Sequence, residues 1–81
     1  MGKTDKLLEK ARDHPGALAF AEFETLLARL GWRFDRQSGS HRIWISPQGK
    51  RLPIQARQGE AKAYQVKQWL RIHDDETHEI D

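Results

Sequence analysis

The chain has 81 residues, among them 14 Lys/Arg, 12 Asp/Glu, four histidines and no cysteine. That length suits one domain, 1–81, with a limited core, and the missing cysteine excludes disulfides and thiolate metal sites. No apolar run is long enough to cross a bilayer and no signal-peptide core opens the chain, so a cytoplasmic protein is expected. Charge is unevenly placed. Residues 29–71 hold ten Lys/Arg against Asp35 and Glu60, whereas residues 72–81 hold five acids and no Lys/Arg. A basic middle between less basic ends suits a polyanion-binding face, or else a solvated surface with an acidic tail.

In chain order, Thr4 is placed to cap a short helix, with Asp5 at its positive end and Leu7, Leu8 and Ala11 along one side. His14-Pro15-Gly16 ends it. Phe20, Phe23, Leu26, Leu27 and Leu30 fall on one face of a second helix, Phe20–Leu30, with Gly31 as its C′ residue. Trp32 to Gln37 then alternates, placing Trp32 and Phe34 opposite Arg33, Asp35 and Gln37.

A small corner follows, Arg36-Gln37-Ser38-Gly39-Ser40-His41-Arg42, in which Gly39 can take a positive φ at little cost. His41 to Ser46 alternates again, with Ile43 and Ile45 on one face and Arg42 and Trp44 on the other. Pro47-Gln48-Gly49-Lys50 is a turn. Arg51 to Ala56 forms a third run, with Leu52 and Ile54 inward and Pro53 outward, as on an edge strand. Such short turns imply an antiparallel meander. Arg57-Gln58-Gly59-Glu60 reads as a loop. Ala61 to about His73 reads as the last helix, with Val66, Trp69, Leu70 and His73 as its apolar stripe. Residues 74–81 read as an acidic, frayed end.

The order predicts an α+β fold: a short helix, then an α-β-β-β-α layer whose three-stranded antiparallel sheet is covered by helices on one face. The other face would then show Arg33, Gln37, Arg42, Trp44, Arg51 and Gln55.

Three stretches together resemble the HicA family of small bacterial and archaeal toxins. They are Phe23-Glu24-Thr25-Leu26-Leu27 leading to Leu30-Gly31-Trp32, then Arg36-Gln37-Ser38-Gly39-Ser40-His41, then Lys62-Ala63-Tyr64-Gln65-Val66-Lys67-Gln68. The hallmark Gly-Ser-His step is met by Gly39, Ser40 and His41. The resemblance implies a double-stranded-RNA-binding-domain-like fold and ribosome-independent cleavage of mRNA, with the motif histidine, here His41, essential. It also implies a HicB antitoxin that covers the active face. Two positions depart from the pattern. Trp32 stands where the family often has Phe, and Arg42 stands where it frequently has a second histidine.

RNA can be cut without metal or cofactor when a base takes the 2′-OH proton and an acid protonates the leaving 5′-oxygen. Histidine suits both tasks. His41 is therefore the candidate catalytic residue, with Ser40 and Arg36 as possible assistants. Arg33, Arg36, Arg42, Arg51 and Lys62 are candidate RNA contacts, since guanidinium forks match phosphate. Trp44 can stack on a base, anchor an antitoxin or pack against a loop. Tyr64 and Trp69 read as packing residues, although Tyr64 or Lys62 could assist the chemistry. His14, His73 and His78 give no sign of joining His41. His73-Asp74-Asp75 and His78-Glu79 are set aside as metal ligands. Two other readings fit the same residues: an RNA-binding module that does not cut, and a protein whose open face serves a protein partner.

Overall fold

The computed structural model describes residues 2–78. Its elements are α1 (Lys3–Asp13), a 3-10 turn (Pro15–Ala17), α2 (Phe20–Arg29), β1 (Arg33–Ser38), β2 (His41–Ile45), β3 (Arg51–Ile54), β4 (Ala56–Arg57), β5 (Glu60–Ala61) and α3 (Ala63–His78). The predicted α+β layout is present. β1, β2 and β3 form an antiparallel sheet in that order, and β4 and β5 form a second small one.

The core lies between the helices and one face of the large sheet. Phe23, Leu26 and Leu27 of α2 and Val66 and Trp69 of α3 are buried with Trp44, Leu52 and Ile54 of the sheet. Trp69 is the hub. It meets Phe23 edge-on at 5.9 Å, Trp32 at a tilt at 6.4 Å, and His73 in a stack at 5.3 Å. Aromatic pairs favour such geometries because ring edges are positive and faces negative. Gly31, at φ +90°, closes α2 as expected for a C′ residue.

Local chemistry departs from expectation, or adds to it, at four places. First, α1 begins at Lys3 with Gly2 as N-cap and no side-chain cap, so Thr4 is inside the first turn rather than capping it. Second, α2 is closed at its start by Glu22. Its Oε1 accepts from the Ala19 N–H at 3.0 Å and from Lys10 Nζ at 3.2 Å. The helix N-terminus leaves such donors free, and a Glu at N3 reaches back to them.

Third, the loop expected at 57–60 is a tight hairpin, and Ala61 belongs to β5 rather than to the last helix. Gln58 and Gly59 both have positive φ, +52° and +81°, the pattern of a type I′ turn. The hairpin is tied to the entry of α2 by Phe20 N–H to Gly59 O at 2.9 Å and Ala61 N–H to Leu18 O at 3.0 Å.

Fourth, the acidic stretch from Asp74 to His78 is helical rather than frayed. Asp74 takes two hydrogen bonds from Arg12, at 2.7 and 3.0 Å, which clamp α1 to α3. Glu76 is buried and accepts from the Ser46 hydroxyl in the β2–β3 turn. Residues 79–81 of the expected acidic end lie outside the described residues. Among the described residues, no helix is long and apolar enough to cross a membrane.

Candidate active site

The corner between β1 and β2 is a two-residue turn, because Ser38 pairs with His41 across it. Gly39 has φ +62°, and Ser40 is not among the positive-φ residues. A positive φ at the first central position alone is the type II′ pattern, which matches the twist of the strands it joins. A Cβ at Gly39 would meet nothing within 4 Å, so backbone conformation rather than space calls for glycine there.

Hydrogen bonds hold the corner from both sides. Gln37 Nε2 donates to Gly39 O at 3.1 Å. On the other side, Gln55 Nε2 donates to Ser40 Oγ at 3.1 Å, and Gln55 Oε1 accepts from Lys62 Nζ at 3.3 Å. Gln55 is itself fixed, since its backbone N–H donates to Gln65 Oε1 at 2.9 Å. Ser40 and Lys62 are thus joined through one amide side chain.

His41 is exposed and opens β2. Register decides which residues share its face. Ser38 pairs with His41, Arg36 with Ile43, and Arg33 with Ile45; across the other edge, Pro53 pairs with Ile43 and Arg51 with Ile45. Directly paired residues point the same way. His41, Ile43 and Ile45 therefore share the face away from the helices with Arg33, Arg36, Arg51 and Pro53. Ile43 is only 2% exposed yet stands outside the core cluster, set between Arg36 and Pro53.

A β-bulge at Asp35 makes this cationic face. The register slips between Phe34 and Arg36, so Arg36 turns to the same side as Arg33. Strict alternation had put Arg33, Asp35 and Gln37 together. Instead, Gln37 pairs with Arg42 and faces the helices. Asp35 lies between the two arginines, 3.8 Å from Arg33 and 3.9 Å from Arg36, loosely enough to leave both guanidinium groups open to solvent. Arg36 is also one same-face step from Ser38, diagonal to His41, a spacing that long side chains bridge.

Arg42 and Trp44 are the main correction. Both were expected on the open face, and both face the helices. Trp44 pairs with Leu52 and Arg42 with Ile54. Trp44 is 6% exposed and belongs to the core. Its Nε1 donates to Glu24 Oε2 of α2 at 2.9 Å, and Arg42 Nε donates to the same oxygen. Arg42 also donates from Nη1 to Gln37 Oε1 at 3.2 Å and lies 4.3 Å over the Phe34 ring. Its charge is neutralised by Glu24 and shielded by Phe34, so it is a clasp between sheet and helix. The indole is likewise turned from any ligand on the open face.

The structure therefore sets His41, Gly39, Ser40 and Arg36 at the corner end of the open face, with Arg33 and Arg51 on the same face at the far end of β2, both paired with Ile45. Lys62 joins the corner through Gln55, while Arg42 and Trp44 are set apart. Sequence reasoning missed Glu24 and Gln55. Glu24 stands in the α2 stretch with no local sign of a partner, because the groups it binds lie 18 and 20 residues away. Gln55 followed an inward Ile and carried no mark of its own. Two titratable groups on the helix side, Asp74 and His73, serve packing and clamping instead. Asp74 sits below its ordinary value because Arg12 bonds it, and burial against Trp69 lowers His73. Among the described residues, no three His, Asp or Glu side chains gather as metal ligands.

An exposed imidazole with the open guanidinium of Arg36 diagonal to it on the same face can exchange a proton with a hydroxyl while the cation holds an adjacent phosphate. No curated protein and no solved structure matches the chain. A family model does. The model described as the HicA toxin of bacterial toxin-antitoxin systems matches residues 20–74, which span α2, both sheets and most of α3. On that match over more than half of its length, the chain belongs to the HicA toxin family, whose members pair with an antitoxin.

Proposed function

We propose that this chain is a metal-independent, ribosome-independent endoribonuclease that cuts mRNA in the cytoplasm through His41. The observation that carries the reading is the exposed His41 at a rigid corner, on the same sheet face as Arg33, Arg36 and Arg51. The neutral imidazole accepts the proton of a ribose 2′-OH. The freed oxygen attacks the neighbouring phosphorus and the P–O5′ bond breaks, giving a 2′,3′-cyclic phosphate and a 5′-hydroxyl. The imidazolium, or water, returns a proton to the leaving oxygen. Arg36 stabilises charge on the phosphoryl oxygens, and Arg33 and Arg51 hold flanking phosphates. Ser40, held by Gln55, orients the corner. With one imidazole for two proton transfers, turnover is slow. The partner is a HicB-like antitoxin, which silences the toxin by covering the open face.

The test is incubation of the purified protein with single-stranded RNA in EDTA, beside His41→Ala. Wild type yields fragments ending in cyclic phosphate. The variant, with unchanged Tm, cuts about 100-fold more slowly or worse, as expected for loss of a general base. Expression of wild type alone arrests growth. RNA left equally intact by both folded proteins removes the enzyme and leaves a binding module.

A further inference from the structure

A cleft of about 980 Å³ opens between the β4–β5 hairpin and the first turns of α3. This volume is at the upper end for sites that hold small ligands. Its walls carry Gln55, Arg57, Lys62, Tyr64 and Lys67. One carboxylate, Glu60, also lines it. Among the described residues, none of Arg57, Lys62 and Lys67 forms an ion pair. Three cations against one acid make the cleft attractive to a polyanion.

Tyr64 gives the cleft its second property. It is 63% exposed and takes no part in the core. Lys67 follows it by one helical turn, so phenol and ammonium share a side of α3. An aromatic face bordered by cations suits a base stacked on the ring with its phosphates on the ammonium groups. A duplex cannot offer this, because its bases are already stacked on each other.

The cleft also meets the reaction corner. Gln55 lines the cleft and donates to Ser40, the residue before His41, while accepting from Lys62. Building on the RNA-cleaving reading above, we propose that this cleft binds the single-stranded stretch of RNA beside the scissile bond. Tyr64 stacks on one base, and Lys62, Lys67 and Arg57 hold the backbone. The strand passes over Gln55 to His41.

The experiment measures binding in the His41→Ala protein, where no cleavage interferes, using a short fluorescein-labelled single-stranded RNA. Adding Tyr64→Ala weakens binding about ten-fold, the scale of one lost stacking contact, whereas Tyr64→Phe restores it. Adding Lys67→Ala lowers the slope of log Kd against log salt by about 0.7, the value for one phosphate contact on a single strand. Lys6→Ala, on α1 and away from the cleft, changes neither. Tyr64 is exposed, so Tm is held and affinity reads the contact. Binding by Tyr64→Ala and Lys67→Ala equal to the parent overturns the proposal. So does tighter binding of duplex RNA. So does loss of a co-expressed antitoxin from these variants with RNA affinity intact, which makes the cleft a protein dock. RNA held through Tyr64 and Lys67 by a wild type that never cuts supports the cleft and removes the nuclease. Cleavage with unchanged KM in Tyr64→Ala removes the cleft and leaves the nuclease.

Discussion

Arg36 and Arg42 each stand three residues from Gly39, one before it and one after. On the helix-covered face, Arg42 is bonded to Glu24 and Gln37 and lies over Phe34. On the open face, Arg36 has, among the described residues, only Asp35 at 3.9 Å, and its side chain is 66% exposed. The same residue type, at mirrored distance from one corner, is structural on one side of the sheet and available to a ligand on the other. Charge counted along the chain therefore overstates the binding face. Of the cations in the strands, only those facing away from the helices and lacking a close carboxylate can neutralise phosphate.

The strongest test of that division is Trp44→Ala. Trp44 fills the core beneath α2, and removing a buried tryptophan costs about 3–5 kcal/mol. A small domain has little more than this to lose. Thermal denaturation should show most of the population unfolded near physiological temperature. A variant that keeps its Tm and loses only RNA binding would place the indole on the open face after all.

Glu24→Ala comes next. It leaves the Trp44 Nε1 and the Arg42 guanidinium without their shared acceptor. An orphaned buried donor costs about 1–3 kcal/mol. Chemical denaturation should show that loss, while cleavage per folded molecule is unchanged. Glu24→Gln keeps an acceptor for the indole and should lose less. Lower cleavage at unchanged stability would make the Glu24–Arg42 pair part of the reacting site.

These two variants act on contacts that the sequence did not disclose, and the reason is physical. Local patterns are written locally. The apolar stripe of α2, the glycine at φ +90° that ends it, the glycine at the β1–β2 corner and the outward Pro53 on an edge strand all follow from neighbouring residues. β2 differs because Ile43, Trp44 and Ile45 are consecutive and apolar, so alternation allows either face inward. Glu24 settles the choice by offering one oxygen to both Trp44 and Arg42. The bulge at Asp35 is equally silent in sequence, yet it sets Arg36 beside Arg33. The corner and its histidine were legible; which arginines accompany them was not.

Acid should act first on the helix side. His73 is lowered chiefly by burial, so the folded chain disfavours its charged form. The unfolded chain binds that proton below about pH 6.5, and stability falls as pH drops from there until the folded histidine is protonated as well. Asp74 is lowered chiefly by its hydrogen bond from Arg12, and Glu22 chiefly by the Ala19 N–H. Their contribution is complete above the unfolded carboxylate range, about pH 4, and is lost as pH falls through their lower folded values. Tm should thus decline slightly below about pH 6.5 and more steeply below about pH 4. His73→Phe should erase the first step and Arg12→Ala should shrink the second. A profile unchanged in both variants would show that neither contact titrates with folding.

The smallest effect on stability belongs to Arg36→Ala, which makes it the most informative partner for Arg42→Ala. Arg36 is largely solvated and its contact with Asp35 is long, so its removal should move stability by less than about 0.5 kcal/mol. Its charge should matter instead to RNA, with slower cleavage and a shallower salt dependence of binding. Arg42→Ala should do the reverse, lowering Tm while leaving the salt dependence as it was, because its charge is already answered by Glu24. The pair is best measured on one preparation, with Tm and salt slope read for each. If Arg42→Ala flattens the slope as much as Arg36→Ala, the guanidinium leaves Glu24 to meet phosphate, and the two faces of the sheet do not divide the work.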